Sequence, residues 1–142
     1  MQMKSQHRIT IDASKPEVLK AITTEQGLRG WYTPNTDGEP ANSSTVKLHF
    51  KTKEGPFEWK VTEDGSASTV HWECLAGPGS AAGSFVTFLL STRHDHKTVV
   101  DLDHEGFDSS DEKLRVCNTM WGTLMHHLKQ YVETKHVVPA FS

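Results

Sequence analysis

The sequence predicts an α+β domain in which one face of an antiparallel sheet packs against a single long C-terminal helix. Several short runs alternate apolar with mainly polar residues, a pattern typical of antiparallel strands that are covered on one side only. From Asp111 to Glu133 there is no proline, and apolar residues recur at steps of three and four. That spacing indicates an amphipathic helix of about six turns. Strands followed by one long helix indicate an α+β fold.

The first elements are a strand and two short helices. His7–Ile11 alternates and predicts the first strand. Ser14 is expected to cap the first helix, with Glu17 reaching back to it in a capping box. A second helical piece, bracketed by Gly27 and Gly30, is expected to end in Trp31-Tyr32, and the polar stretch Thr33–Ser44 is expected to be a loop.

Five further strands and the long helix follow. The alternating runs predict strands at Val46–Lys51, Phe57–Thr62, Val70–Leu75, Phe85–Ser91 and Val99–Glu105. The fourth of these runs is apolar on both faces, and we favour Val86, Phe88 and Leu90 as its inward side. The predicted buried stripe of the helix is Leu114, Cys117, Trp121, Leu124, Leu128 and Tyr131.

Length and composition exclude several classes of protein. The chain of 142 residues fits one domain, expected to have its core at about 8–135 and a frayed tail at 136–142. The formal net charge of −3 argues against a nucleic-acid-binding surface. We expect no membrane span, because no apolar run approaches the roughly 18 residues that one needs.

Neither a leader nor a cofactor is expected. Met1–Ile11 lacks the apolar core of a signal peptide, and Cys74 and Cys117 lack metal or redox spacing. Both cysteines are therefore expected to be buried thiols, which favours a cytoplasmic location. The nine histidines form no HExxH motif or Cys/His pairing, so no metal site is predicted.

Four segments of the chain carry motifs that are similar to one superfamily. They are Ser14–Thr23, Leu28–Tyr32, Thr98–Phe107 and Trp121–Glu133. In their order and spacing they resemble the START-like (SRPBCC) superfamily. The match is nearest to its family of homologues of the heat-shock-protein-90 ATPase activator. The resemblance implies a helix-grip fold, with a curved six-stranded sheet around the long helix and a pocket between them. Members of the superfamily bind lipids, sterols, polyketides and other hydrophobic molecules, and some catalyse cyclisation.

The candidate ligand site combines aromatic residues with one histidine. Strand parity turns Trp59 and Trp72 inward, and Trp121 lies on the buried stripe of the helix. The resemblance puts Trp31 at the mouth of the pocket. The predicted lining is Trp31, Trp59, Trp72, Phe88, His104, Trp121 and Met125. Alternatively, the rings simply fill the core, and His104 is a core histidine bonded to its surroundings.

Three functions are compatible with these residues. The sequence favours a non-enzymatic protein that binds a small hydrophobic or aromatic molecule. The second hypothesis is a cyclase- or hydrolase-type enzyme with His104 as general base, although the inward faces offer no carboxylate as its partner. The third is a protein-interaction module of stress or chaperone type. It would use the outer sheet face, with Lys47, His49, Lys51, Glu58 and Lys60. The chain could also form a homodimer through an exposed sheet edge.

Overall fold

The structure is a computed structural model that describes residues 2–38, 45–48, 57–63, 68–76, 82–93, 95–108 and 113–140. The strands are β1 (Gln2–Ile11), β2 (Thr36–Asp37), β3 (Thr45–Leu48), β4 (Phe57–Glu63), β5 (Thr69–Ala76), β6 (Phe85–Thr92) and β7 (Thr98–Asp108). The helices are α1 (Lys15–Thr23), α2 (Glu25–Trp31) and α3 (Lys113–Thr134). This order confirms the predicted α+β class, with both short helices between the first two strands.

The strands form one curved antiparallel sheet in the order β1-β7-β6-β5-β4-β3-β2. It has seven strands rather than the predicted six. The additional strand is β2, which lies inside the segment that was expected to be a loop. Its residues Thr36 and Asp37 pair with Leu48 and Lys47 of β3. The Arg29 guanidinium donates hydrogen bonds to the carbonyl oxygen of Thr36 and holds this strand on α2. Two residues are too few to show an alternating pattern.

Alternation along the strands separates a buried face from an exposed face. On β6, Val86, Phe88 and Leu90 are buried, whereas Phe85 and Leu89 are 42% and 48% exposed. The favoured inward side of this strand is therefore confirmed. Parity also holds on the neighbouring strands, where the buried residues are Val70, Trp72 and Cys74 of β5 and Val100, Leu102 and His104 of β7.

Helix α3 covers the buried face with the predicted stripe. Trp121, Leu124 and Leu128 are buried, while the side chains of Leu114 and Cys117 lie outside the described part of the stripe. The backbone of α3 runs closest to β1, α1 and α2. Opposite β4, β5 and β6, the ring of Trp121 reaches the sheet instead. Side chains thus bridge the middle of the sheet and the helix.

One local prediction is wrong. Ser14 is the N-cap residue of α1, but its side chain makes no capping hydrogen bond. The carboxylate of Glu17 pairs with Lys135 just after α3, so the capping box does not form. In the segment after α3, the N–H of Ala140 donates to the carbonyl oxygen of Trp31 at 2.9 Å. No helix in the described part of the chain is long and apolar enough to cross a membrane.

Candidate ligand-binding site

All seven predicted site residues are buried, and none is more than 4% exposed. They come from α2, four strands and α3. Six of them belong to one hydrophobic cluster: Trp31, Trp59, Trp72, Phe88, Trp121 and Met125. His104 adjoins this cluster through ring contacts with Trp59 and Trp121. Long-range packing therefore gathers residues from six elements into the space between the sheet and α3. Their role in binding a ligand remains a prediction.

The aromatic rings contact one another around Trp72. Its ring centroid lies 5.0 Å from that of Phe88, 5.6 Å from that of Trp59 and 6.2 Å from that of Trp121. Trp31, predicted at the mouth of a pocket, is fully buried and stacks on Trp72 at 6.4 Å. Centroid separations of 4.5–7 Å are typical of interacting aromatic pairs. In this conformation the rings occupy the centre of the interior.

The cluster contains two aromatic residues that the sequence prediction missed. Tyr32 meets Trp121 edge to face at 6.1 Å, and Phe57 stacks on Trp59 at 5.7 Å. The sequence contained a pattern that could have identified each of them as a site residue. Tyr32 belongs to the same motif as Trp31, and Phe57 shares the inward parity of Trp59.

His104 links the sheet to α3 through two hydrogen bonds. The indole N–H of Trp121 donates to its Nδ1 at 2.9 Å, and its Nε2 lies 3.1 Å from the Oγ of Ser84. Indole is a donor only, so Nδ1 must be the acceptor, and the proton of the neutral ring resides on Nε2. His104 therefore donates to Ser84. Ser84 was not predicted, because it follows a glycine-rich stretch without strand periodicity.

Burial keeps the imidazole of His104 neutral. Removal from solvent, with a smaller contribution from the charge of nearby His7, lowers its pKa from 6.5 to about 4. The protonated ring would also carry a hydrogen on Nδ1, which would oppose the N–H of Trp121. The network consequently favours one protonation state and one tautomer.

This tautomer opposes the enzymatic hypothesis. A general base needs a lone pair directed at the proton it removes. In His104 the Nδ1 lone pair accepts from Trp121, and Nε2 carries a proton toward Ser84. The buried polar side chains of the described residues are four threonines, Ser84 and His104, with no carboxylate, lysine or arginine among them. The arrangement therefore positions the ring of Trp121, with both ring nitrogens of His104 engaged in hydrogen bonds.

The four indole N–H groups differ in whether they have a hydrogen-bond acceptor. Trp31 donates to the carbonyl oxygen of Ala21 at 2.8 Å, and Trp121 donates to His104. The Nε1 atoms of Trp59 and Trp72 are buried, and no acceptor for them is found within the described residues. The two unpaired donors belong to neighbouring rings at the centre of the cluster.

Among the described residues, three cavities are found outside the aromatic cluster. One of about 390 Å³ lies between α1, α2 and the end of α3, and an adjoining one of about 330 Å³ shares Tyr131 and Val137 with it. The third, of about 430 Å³, lies along β1, β6 and β7 and includes Leu89 and Asp101. Among the described side chains, no group of three or more His, Cys, Asp or Glu could hold a metal ion.

The fold and the aromatic interior define a START-like domain of the helix-grip class. Residues 12–133 match the family model described as Activator of Hsp90 ATPase homolog 1-like protein. The chain belongs to that family, which confirms the resemblance drawn from its motifs.

Solved structures agree with this assignment. The Aha1 dimer from Colwellia psychrerythraea is 32% identical with a TM-score of 0.81, and the match covers 93% of this chain and 97% of that one. A protein from Bacillus halodurans is 21% identical with a TM-score of 0.70, over 92% and 97% of the two chains. A Staphylococcus saprophyticus protein, 15% identical, has a TM-score of 0.73 over 96% of each chain. At 21% and 15% identity, the Bacillus and Staphylococcus matches show a shared fold and nothing further. The curated proteins contain no significant match.

Proposed function

We propose that the protein binds a small, ring-containing apolar molecule between the centre of the sheet and α3, without catalysing a reaction. The unpaired indole N–H groups of Trp59 and Trp72 carry this proposal. A buried tryptophan N–H usually finds a partner, and leaving one unpaired costs about 1–3 kcal/mol. Two such groups on neighbouring rings support the binding of a guest molecule that supplies the missing hydrogen-bond acceptor.

The way in which α3 covers the sheet also supports the proposal. Its backbone packs closely at β1, whereas the ring of Trp121 spans the distance to β4, β5 and β6. Side chains can change rotamer without unfolding a helix or a strand. Reorientation of these rings therefore opens space for a flat guest, and the bond from Trp121 to His104 limits which ring moves.

Titration with N-phenyl-1-naphthylamine, a neutral hydrophobic fluorophore, tests the proposal. We expect saturable binding, measured as quenching of tryptophan emission together with sensitised emission from the probe. Met125→Trp fills the interior and should weaken binding at least tenfold. Leu89→Trp makes the same addition on the exposed sheet face and should leave binding unchanged. Thermal melts of both variants check that they remain folded.

Two results would contradict binding at this site. The first is a linear, non-saturating response of the folded protein. The second is saturable binding that Leu89→Trp weakens and Met125→Trp does not, which would place the probe on the outer face. We also propose a cytoplasmic location, supported by the buried Cys74, which forms no disulfide within the described residues.

We further propose that the chain self-associates as a homodimer. Its relative from Colwellia psychrerythraea is a dimer. Leu75, Phe85 and Leu89 are 42–48% exposed on the outward face of the central strands β5 and β6. We expect a dimer by sedimentation equilibrium, and we expect the double variant Phe85→Glu/Leu89→Glu to dissociate it. Val137→Glu, at an apolar position 67% exposed, is the control. A monomeric wild type would contradict self-association.

A further inference from the structure

The two unpaired donors also indicate which polar group the guest carries. Resting on the ligand-binding function proposed above, we infer that the guest is a neutral aromatic molecule with a carbonyl oxygen, such as a ring ketone or quinone, that accepts hydrogen bonds from Trp59 and Trp72. The inference depends on the direction of the hydrogen bonds at the centre of the cluster and on the charge of the surrounding side chains.

The direction follows from the chemistry of indole. Its N–H donates and has no lone pair to offer, so the unpaired Nε1 groups of Trp59 and Trp72 can only be satisfied by an acceptor. The nearby acceptor Nδ1 of His104 receives the N–H of Trp121 instead. A hydroxyl oxygen on the guest could also accept from them, but its own hydrogen would then need a further acceptor. A carbonyl oxygen only accepts and brings no such requirement.

The charge of the guest follows from the lack of a buried counter-ion. None of the buried side chains in the described part of the domain is a lysine, an arginine or a carboxylate. Transferring an isolated carboxylate or ammonium ion from water to such an environment is strongly unfavourable. A neutral acceptor avoids that cost, and the rings of Trp59, Trp72 and Phe88 provide faces against which an aromatic ketone stacks.

A matched pair of probes tests the inference. 9-Fluorenone and fluorene have the same flat three-ring frame and differ at one position, a carbonyl against a methylene. Fluorenone can accept hydrogen bonds from both indole N–H groups, and fluorene cannot. We therefore expect fluorenone to bind about tenfold tighter than fluorene, measured by titration calorimetry or ligand-observed NMR.

Tryptophan variants assign the preference to particular donors. Trp59→Phe and Trp72→Phe each retain a ring and remove an N–H, so each should reduce the fluorenone-to-fluorene preference, and the double variant should bring it to about one. Leu89→Trp, on the exposed sheet face, is the control. It should leave both affinities and the preference unchanged. In the wild-type complex, hydrogen bonding should move the infrared carbonyl stretch of fluorenone to lower frequency.

The outcomes separate this inference from the proposed function. Equal affinity for the two probes would overturn the carbonyl inference and leave ligand binding intact. A preference that survives in the Trp59→Phe/Trp72→Phe double variant would overturn the assignment of the donors. If neither fluorenone, fluorene nor N-phenyl-1-naphthylamine binds the folded protein, the proposed function fails and this inference fails with it.

Discussion

Replacing Trp121 by phenylalanine should lower the free energy of unfolding by about 3 kcal/mol, whereas Trp59→Phe should change it by about 1 kcal/mol or less. Both substitutions remove a similar volume from the buried cluster. Trp121→Phe also leaves the Nδ1 of His104 without its donor, which is the costly case of a buried unsatisfied group. Trp59→Phe removes a donor that has no acceptor within the described residues, and this gain offsets the lost packing.

Urea denaturation of the two variants measures this difference. Trp72→Phe should behave like Trp59→Phe, because its indole N–H is likewise unpaired. Trp31→Phe should behave like Trp121→Phe, because it deprives the Ala21 carbonyl of its donor. Equal losses at all four positions would show that the N–H groups of Trp59 and Trp72 are satisfied in the folded protein, and would remove the main support for a guest.

The stability of the protein should fall by about 3 kcal/mol as the pH is lowered from 6.5 to 4, through His104 alone. Its pKa is about 4 in the folded protein, below the ordinary value of 6.5, so the folded state favours the neutral ring. That contribution is fully present above pH 6.5, decreases as the unfolded chain takes up the proton, and changes no further below pH 4. The hydrogen-bonded ion pair with Lys135 lowers the pKa of Glu17. Stability lost through protonation of that carboxylate is therefore lost at a lower pH than the stability lost through His104.

Unfolding measured at several pH values isolates the contribution of His104. His104→Gln keeps an amide oxygen that can accept from Trp121 and an amide N–H that can donate to Ser84, but it cannot take up a proton. This variant should lose most of the slope between pH 6.5 and 4. His126→Gln, at an exposed position of α3, is the control for removing a histidine. An unchanged slope in His104→Gln would contradict the assignment.

The sequence predicts burial well wherever a strict period applies. Side chains alternate along a strand, so parity alone places Trp59, Trp72 and His104 on the inward face. The helical period of three and four does the same for Trp121 and Leu124. The seven candidate residues could therefore be named without coordinates, with Trp31 added from the family resemblance. The family itself was identified from the order and spacing of the four motifs.

The other features depend on contacts between residues that are far apart in the sequence. Neither the strand period nor the helix period predicts such contacts. Ser84 meets His104 because the start of β6 pairs with β7, and the sequence around Ser84 contains no sign of that pairing. Strand β2 forms because Arg29 holds the carbonyl of Thr36. Which indole N–H finds an acceptor is decided by three-dimensional packing. The distinction between Trp31 and Trp59, on which the proposed function depends, is therefore visible only in the structure.

The indole region of a ¹H–¹⁵N correlation spectrum tests the central claim most directly. The four tryptophans give four indole N–H signals, which the single Trp→Phe variants assign. On addition of 9-fluorenone, the signals of Trp59 and Trp72 should shift with one common saturation curve, and that of Trp31 should move least. Unchanged Trp59 and Trp72 signals, with shifts confined to the backbone amides of Phe85 and Leu89 on the outer face, would contradict a guest between the sheet and α3.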